Sequence, residues 1–119
     1  MAAHQQLGKA GEEAAQAHLL SKDYTIVATN VRIGKLELDI IASKDDILVI
    51  VEVRTRSTDW YLQPEATVDW RKRMHVAQAA LGYIRQHHWQ GETRFDIMAI
   101  VKNADGSFQI EHFEDAFRP

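Results

Sequence analysis

The stretch from residue 36 to residue 56 constrains the fold of this chain more than any other. Two runs rich in Ile, Leu and Val, residues 36–42 and 47–56, flank a polar corner at residues 43–46. Runs of this length and composition are typical of β-strands, and charged residues between them are typical of a turn. The stretch therefore predicts a β-hairpin. Its second arm begins with five apolar residues in succession, as expected for a central strand covered on both faces.

The second arm ends in polar side chains, Glu52, Arg54 and Arg56. Alternation places these three on one face of the strand, and it places Glu37 and Asp39 together on one face of the first arm. A two-residue turn at residues 44–45 would pair Glu37 with Glu52, whereas a four-residue turn would pair Asp39 with Glu52. Either turn leaves Asp39 and Glu52 roughly 5 to 8 Å apart on one face, and a three-residue turn would separate them.

Two carboxylates that converge at the end of an apolar strand repel each other unless a positive charge lies between them. A divalent cation could supply that charge. The arginines two and four residues further along the strand, Arg54 and Arg56, could also supply it. The hairpin alone does not decide between a metal site and a set of ion pairs.

Composition narrows the class of protein. A chain of 119 residues and 13.6 kDa predicts one domain, residues 1–119, with a hydrophobic core large enough to be stable without disulfides or a structural metal. The sequence has no cysteine, which excludes disulfides and thiolate metal sites. It has neither a signal-like N-terminus nor an apolar run of about 18 residues, so we expect a cytoplasmic protein with no membrane segment. Its net charge of −3 means that affinity for nucleic acid would need a local basic patch.

Residues 5–22 are predicted to form the first helix. Small and apolar residues recur there at helical spacing: Leu7, Gly8, Gly11, Ala15 and Leu19. The two glycines suggest close packing on a sheet, because each costs about 1 kcal/mol relative to alanine in a helix. Glu12 lies within this face. Its simplest interpretation is a rim residue whose carboxylate reaches water.

Residues 68–88 are predicted to form the second helix, with Trp70, Met74, Ala77, Leu81 and Ile84 as its apolar stripe. Its first turn carries three cations, Arg71, Lys72 and Arg73. Cations at a helix N-terminus oppose the macrodipole, which hints at an anionic partner. Long side chains that simply extend into solvent explain the triplet equally well.

The remaining segments complete the order α-β-β-β-α-β-β. Strands are predicted at residues 24–32, 94–102 and 107–111, and residues 30–34 are predicted to turn the chain into the hairpin. The loop at residues 57–66 carries Trp60, Tyr61 and Pro64, whose rings could stack on unpaired bases or pack under the loop itself. The six histidines lack metal-ligand spacing, so we expect no zinc.

These features resemble a known superfamily. Glu12 on the first helix, Asp39 on one strand and Glu52-Val53-Arg54 on the next resemble the PD-(D/E)xK restriction-endonuclease-like superfamily. More closely, the whole chain resembles the YraN family of uncharacterised bacterial proteins. The matching segments follow the family's order: GKAGEEAA at 8–15, NVR at 30–32, ELDIIA at 37–42, VEVRTR at 51–56, RKR at 71–73, RFD at 94–96 and AF at 116–117.

The resemblance implies an α/β (α+β) fold, in which helices cover both faces of a central mixed sheet. It also implies Mg²⁺-dependent (or Mn²⁺-dependent) hydrolysis of DNA phosphodiesters. Asp39, Glu52 and the carbonyl of Val53 would be the metal ligands, and Glu12 would bind through water or a second metal. With Arg54, the three acids form the implied catalytic set. The candidate nucleic-acid contacts are Arg32, Arg56, Arg71, Lys72 and Arg73.

The chain departs from the family pattern at Arg54, where the family has a lysine that acts on the attacking water or the phosphate. Arginine cannot accept a proton at ordinary pH, although it can hold a phosphate oxygen through a bidentate contact. Lys72 or Lys35 could take over the role of that lysine, or the scaffold could have lost the chemistry. A second departure is Leu36, where the family usually has glycine.

Three classes of function remain open. The first is a Mg²⁺-dependent nuclease, on branched or single-stranded DNA by analogy with the superfamily. The second is a nucleic-acid-binding module without turnover. The third is a protein-interaction scaffold whose charged residues form a cross-strand ion-pair ladder: Glu37, Asp39, Glu52, Arg54 and Arg56. Metal binding separates the third from the others, and cleavage separates the first from the second. The sequence is compatible with a homodimer and does not determine the oligomeric state.

Overall fold

The computed structural model describes residues 2–56 and 70–119, with side chains from residue 6 onward. Within these ranges, two helices and five strands follow one another in the predicted order: α1 (Ala2–Ser21), β1 (Thr25–Ile33), β2 (Leu36–Lys44), β3 (Ile47–Arg56), α2 (Trp70–His87), β4 (Glu92–Lys102) and β5 (Phe108–Phe113). The predicted loop at residues 57–66 and the first two residues of the predicted second helix lie outside the described residues.

The five strands form one sheet in the order β1-β2-β3-β4-β5. β3 and β4 are parallel, and the other neighbouring pairs are antiparallel. The sheet is therefore mixed, as predicted. β3 lies in the middle, and its residues 48–52 are all buried. The apolar run in its sequence exists because this strand is covered on both faces.

The two helices lie on opposite faces of the sheet, and each covers its own apolar core. Ala15 and Leu19 of α1 pack with Ile40, Val49 and Met98 on one face. On the other face, the small residues of α2 pack against the sheet in a cluster that includes Val76, Ala79, Ala80, Tyr83, Leu38, Ile50 and Ile97. This α+β arrangement is the predicted fold class and agrees with a restriction-endonuclease-like fold. No helix within the described ranges is long and apolar enough to cross a membrane.

The predicted apolar stripe of α2 is wrong in part. Trp70, Met74 and Leu81 are exposed by 66%, 49% and 47%. The helix instead buries Val76, Ala79, Ala80 and Tyr83. Two apolar stripes run along this helix, and the prediction chose the one with the larger side chains. The sheet takes the stripe that contains two alanines because small residues let the helix axis approach the strands more closely.

The segment that leads into the hairpin also differs from its prediction. Residues 30–33 belong to β1, and the turn to β2 falls at residues 34–35, where Gly34 has a φ of 63°. Asn30 has a φ of 50° inside the strand. Left-handed backbone is uncommon for a residue other than glycine, and asparagine tolerates it because its short amide can hydrogen-bond locally. Asn30 therefore introduces a backbone irregularity into β1, close to the candidate site.

Candidate functional site

The candidate site lies where the sheet splits between β2 and β3. These strands pair from Lys44 and Ile47 at the turn as far as Ile40 and Val51. Beyond that point β2 continues to pair with β1, and β3 continues to pair with β4. The two central strands therefore separate while each keeps its outer neighbour. Their separation opens a gap next to the polar end of β3.

The hairpin turn sets the register at this gap. Asp45 and Asp46 form a two-residue turn with φ values of 52° and 64°, the left-handed pair that a tight hairpin requires. The turn is thus one residue further along than the predicted two-residue turn. One more step of the observed register would set Asp39 opposite Glu52, which is the pairing expected from the four-residue turn. The structure brings these two residues together.

The alternation of side chains between the two faces of the sheet is interrupted in β2 at Asp39. Leu38 belongs to the core under α2, whereas Ile40 belongs to the core under α1. Residues two apart share a face in a regular strand, so the chain twists sharply between them. In β1 the left-handed Asn30 lies between Thr29 and Val31, which pair with Ile40 and Leu38. Both strands are irregular at the same level, and β2 leaves β3 there.

Asp39 replaces the lost strand pairing with a side-chain contact. The backbone N–H of Val53 donates a hydrogen bond of 2.9 Å to Oδ2 of Asp39. The N–H and C=O of one residue in an antiparallel strand point to the same side. The carbonyl of Val53 therefore points toward the same gap as its N–H. A backbone carbonyl that binds a metal ion in the gap would need to point in this direction.

Glu52 is buried beside Asp39, with a relative exposure of 4%. The pKa of Glu52 is raised to about 8, mainly by burial and also by the charge of Asp39 and a hydrogen bond with Asp39. The cations of Lys72 and Arg54 act in the opposite direction and do not outweigh burial. Nζ of Lys72 lies 3.5 Å from Oε1 of Glu52. Asp39 and Glu52 thus form a carboxyl pair that holds a proton at neutral pH.

Glu12 faces this pair from α1. Burial and the charge of Asp39 raise the pKa of Glu12, while a hydrogen bond from the Asn30 side chain lowers it. The position of Glu12 depends on its neighbour Gly11, where a Cβ atom would overlap the side chain of Thr55 on β3. At Gly8 a Cβ atom would meet nothing within 4 Å. Only one of the two glycines therefore serves the close packing that the sequence suggests.

These elements surround an open cleft of about 310 Å³, lined by Gly8, Glu12, Asp39, Glu52, Val53, Arg54, Thr55 and Arg56. Within residues 2–56 and 70–119, no three His, Asp or Glu side chains are arranged closely enough to hold a metal ion. The donors that do converge are two carboxylates and the side of β3 that carries the Val53 carbonyl. Mg²⁺ suits such a set because it binds few carboxylates and keeps several waters.

Comparison with known proteins shows which family the chain belongs to. The sequence profile of a family described as Uncharacterised protein family UPF0102 matches residues 11–100. The chain belongs to this family. It is 44% identical to the UPF0102 protein of Bacteroides thetaiotaomicron, over 100% of this chain and 98% of that protein. It is 45% identical to the UPF0102 protein of Porphyromonas gingivalis, over 98% of this chain and 87% of that protein. These results confirm the YraN-like resemblance.

The candidate basic residues of this UPF0102 chain are distributed unevenly around the cleft. Arg54 and Arg56 line the cleft, and Lys72 reaches Glu52 from α2. Arg32 lies outside, exposed on β1, with its Nε 3.9 Å from Oε2 of Glu37. Arg71 is exposed, and the guanidinium of Arg73 lies 5.6 Å from the ring of Phe117. Two of the five predicted nucleic-acid contacts, Arg56 and Lys72, therefore lie at the cleft or the carboxyl pair, together with Arg54 of the predicted catalytic set.

The three acidic residues of the predicted ion-pair ladder have contacts of different kinds. Glu37 pairs with Arg32 of β1, Asp39 accepts a backbone N–H, and Glu52 contacts Lys72 of α2. These acids thus take partners from different elements of the UPF0102 fold. Asn30 is a site residue that the sequence analysis does not identify, because residues 30–34 are predicted to form a turn. An asparagine within an alternating strand was the available signal, since asparagine tolerates left-handed backbone.

Proposed function

We propose that this protein is a metal-dependent nuclease that hydrolyses phosphodiester bonds of DNA in the cleft between β2 and β3. One observation carries the proposal. Asp39, Glu52 and Lys72 come from β2, β3 and α2, and their charged groups meet at one point at the edge of the cleft. A carboxyl pair next to an amine offers both a cation site and a group that can act on a phosphate or its attacking water.

The two carboxylates and the Val53 carbonyl would hold a Mg²⁺ or Mn²⁺ ion. When bound, the ion supplies Lewis-acid activation of the phosphate and lowers the pKa of a bound water. Glu12 lies close enough to Asp39 for its pKa to respond to that charge, and it would act through a water molecule. Burial and, after it, the charge of Asp39 raise the pKa of Glu52, and a bound cation would offset both effects.

Lys72 takes the place of the lysine that position 54 lacks. Its ammonium lies 3.5 Å from the Glu52 carboxylate, and 38% of its side chain is exposed. A phosphate entering the cleft could therefore reach it. Arg54 remains at the cleft as a permanent cation that can hold a phosphate oxygen. The amine and the guanidinium thus come from two different elements.

A nucleic-acid-binding module without turnover is the second candidate. Arg54 favours it, because an arginine at this position of the strand cannot act as a base. The two candidates share the basic cleft and differ in cleavage.

The test uses end-labelled DNA as a single strand, a duplex, a splayed fork and a four-way junction. Each DNA is incubated with the purified protein in Mg²⁺, in Mn²⁺ and in EDTA. We expect cleavage of at least one substrate with the metal ions and none with EDTA. Asp39→Asn should abolish cleavage and leave binding nearly unchanged, because it removes a metal ligand and keeps the size of the side chain.

Glu13→Gln is the matched control for Glu12→Gln, because Glu13 is the adjacent acid on α1 and is exposed. Glu12→Gln should slow cleavage, and Glu13→Gln should not. Binding of DNA without cleavage in any metal would reject the nuclease in favour of the second candidate. A folded protein that neither binds nor cleaves any of the four structures would reject both.

A further inference from the structure

The outward face of α2 is apolar and has no covering element among the described residues. Of the five large apolar side chains that are exposed within residues 6–56 and 70–119, three belong to this helix: Trp70, Met74 and Leu81. Their spacing of four and seven residues puts them on one stripe of about 16 Å. The opposite stripe is the one packed against the sheet. The helix thus carries a second apolar stripe without a structural role in the core.

The charge of α2 is of one sign. The helix contains Arg71, Lys72, Arg73 and Arg85 and no acidic residue, although the whole protein has a net charge of −3. The guanidinium of Arg71 lies 6.0 Å from the ring of Trp70. An apolar floor with cations at its rim matches a ligand that presents flat rings and negative charges alternately. Unpaired nucleotides have this chemistry, since every base has a π face and every linkage carries a phosphate.

A shallow groove follows the same stripe. It has a volume of about 420 Å³ and is lined by Trp70, Arg73, Met74, Ala77, Gln78, Arg118 and Pro119. Its wall is mostly apolar, and its charged lining residues are both arginines. The groove therefore extends the stacking surface of Trp70 along the helix, with Arg73 beside Phe117 and Arg118 paired with Asp115 at its rim.

Two features favour nucleic acid over a second copy of the chain. Two α2 helices packed face to face would bring cations together with no acidic side chain from either helix, which is unfavourable. The same helix also reaches the proposed nuclease site, because Lys72 in its first turn contacts Glu52 on the side of the helix away from Trp70. A strand bound across the N-terminal end of α2 would therefore have the nuclease site on the other side of the same helix.

We infer that the exposed face of α2 is a binding surface for an unpaired DNA strand, with Trp70 as the platform on which a base stacks. The inference deepens the proposed function and rests on it for the direction of the strand, which runs from Trp70 toward the Asp39–Glu52 cleft. Met74 and Leu81 extend the platform. Arg71 contacts a phosphate next to the stacked base. The surface selects unpaired DNA because a base inside a duplex does not expose its π face.

The experiment measures anisotropy of a labelled oligothymidine of 15 nucleotides and of the corresponding blunt duplex, in EDTA at fixed salt. EDTA removes the metal, so the result does not depend on cleavage. We expect wild type to prefer the single strand. Trp70→Ala should weaken single-strand binding roughly tenfold, and Trp70→Phe should retain most of the affinity because a ring remains. Arg71→Ala should weaken binding and reduce its salt dependence by about one charge.

Leu20→Ala is the matched control, because Leu20 is a large apolar residue on α1 that is 57% exposed. It should bind as wild type does. Circular dichroism and thermal unfolding check that each variant is folded. The inference is overturned if Trp70→Ala binds the single strand as tightly as wild type, or if wild type prefers the duplex. It is also overturned if Trp70→Ala changes only the oligomeric mass, since a second copy would then be the occupant.

Failure of this inference and failure of the nuclease proposal have different signatures. Asp39→Asn should keep the Trp70-dependent binding in EDTA even though it cannot cleave. If wild type cleaves DNA and Trp70→Ala has no effect on binding, the nuclease proposal stands and the binding surface on α2 is rejected. If wild type binds through Trp70 and does not cleave, the binding surface stands and the nuclease proposal is rejected.

Discussion

The Val53 amide donates a hydrogen bond of 2.9 Å to the Asp39 carboxylate at the level where β2 and β3 stop pairing. This contact links the two strands after their ladder has ended. It also fixes Asp39 against the buried Glu52. One side chain therefore closes the sheet and forms half of the candidate cation site. The two roles can be separated by substitution, because an amide keeps the acceptor and loses the charge.

Asp39→Asn should raise the melting temperature in EDTA, since the charge of Asp39 then no longer raises the pKa of the buried Glu52, and the amide keeps an oxygen for the Val53 N–H. It should also abolish any stabilisation by Mg²⁺. Asp39→Ala should cost about 1–3 kcal/mol, because it leaves the Val53 N–H without its acceptor. Thermal unfolding of the three proteins in EDTA and in saturating Mg²⁺ measures both effects. A less stable Asp39→Asn, with no response of wild type to Mg²⁺, would favour an ion-pair role for Asp39.

The role of Lys72 can be tested by moving the amine. Lys72→Met should lower the cleavage rate by about 10²-fold or more if the amine assists proton transfer. Arg54→Lys should cleave at least as fast as wild type, since it adds an amine to the cleft. The double variant should recover part of the activity that Lys72→Met loses. Lys9→Met, an exposed position on α1, controls for the loss of a lysine. Unchanged cleavage by Lys72→Met would exclude the role.

Stability without metal should fall as pH rises from about 4.5 to about 8. The pKa of Glu52 is raised from 4.5 to about 8 in the folded state, so the folded protein binds the proton more tightly than the unfolded chain. That stabilisation is complete below pH 4.5 and is lost as pH approaches 8. Glu52→Gln should remove this dependence. Unfolding by urea in EDTA at pH 5 to 8.5 measures it, and parallel profiles for wild type and variant would contradict the shift.

Gly11→Ala should destabilise the protein by about 1–3 kcal/mol, because its Cβ overlaps Thr55 and α1 must move away from β3. Since Glu12 follows Gly11, the variant should also slow cleavage. Gly8→Ala is the matched control. It meets open space, and alanine should stabilise the helix by up to about 1 kcal/mol. Urea denaturation of both variants compares them, and equal stabilities would show that α1 is not closely packed at Gly11.

Asp96 lies away from the cleft and should affect stability only. Burial would raise the pKa of Asp96, but hydrogen bonds from His112, Arg94 and the Asp115 N–H hold it below its usual value. The side chain is fully buried. Its stabilising contribution is present above pH 3.8 and is lost as pH falls below that value. Asp96→Asn should cost about 3 kcal/mol by leaving Arg94 without its carboxylate. The exposed Asp105→Asn should cost little, and equal losses would contradict this account.

The elements that could be predicted from sequence are those with strong local periodicity. The order of helices and strands, the central position of β3 and the covering of both faces follow from the apolar run at residues 47–51 and from helical spacing. The proximity of Asp39 and Glu52 follows from the alternation of a hairpin. The stripe of α2 was chosen wrongly, because this helix has two apolar stripes and spacing alone does not say which one meets the sheet.

The sequence by itself determined the set of elements, the hairpin and the acids at its polar end, because these depend on side-chain spacing over a few residues. The tertiary structure decided where β2 leaves β3, that the left-handed Asn30 of β1 hydrogen-bonds Glu12, and that Lys72 reaches Glu52. These features depend on packing between segments distant in the chain. The alternation of side chains along a strand predicts which face of the sheet each residue occupies. Whether two strands remain hydrogen-bonded to each other depends on burial and on pairing with their other neighbours.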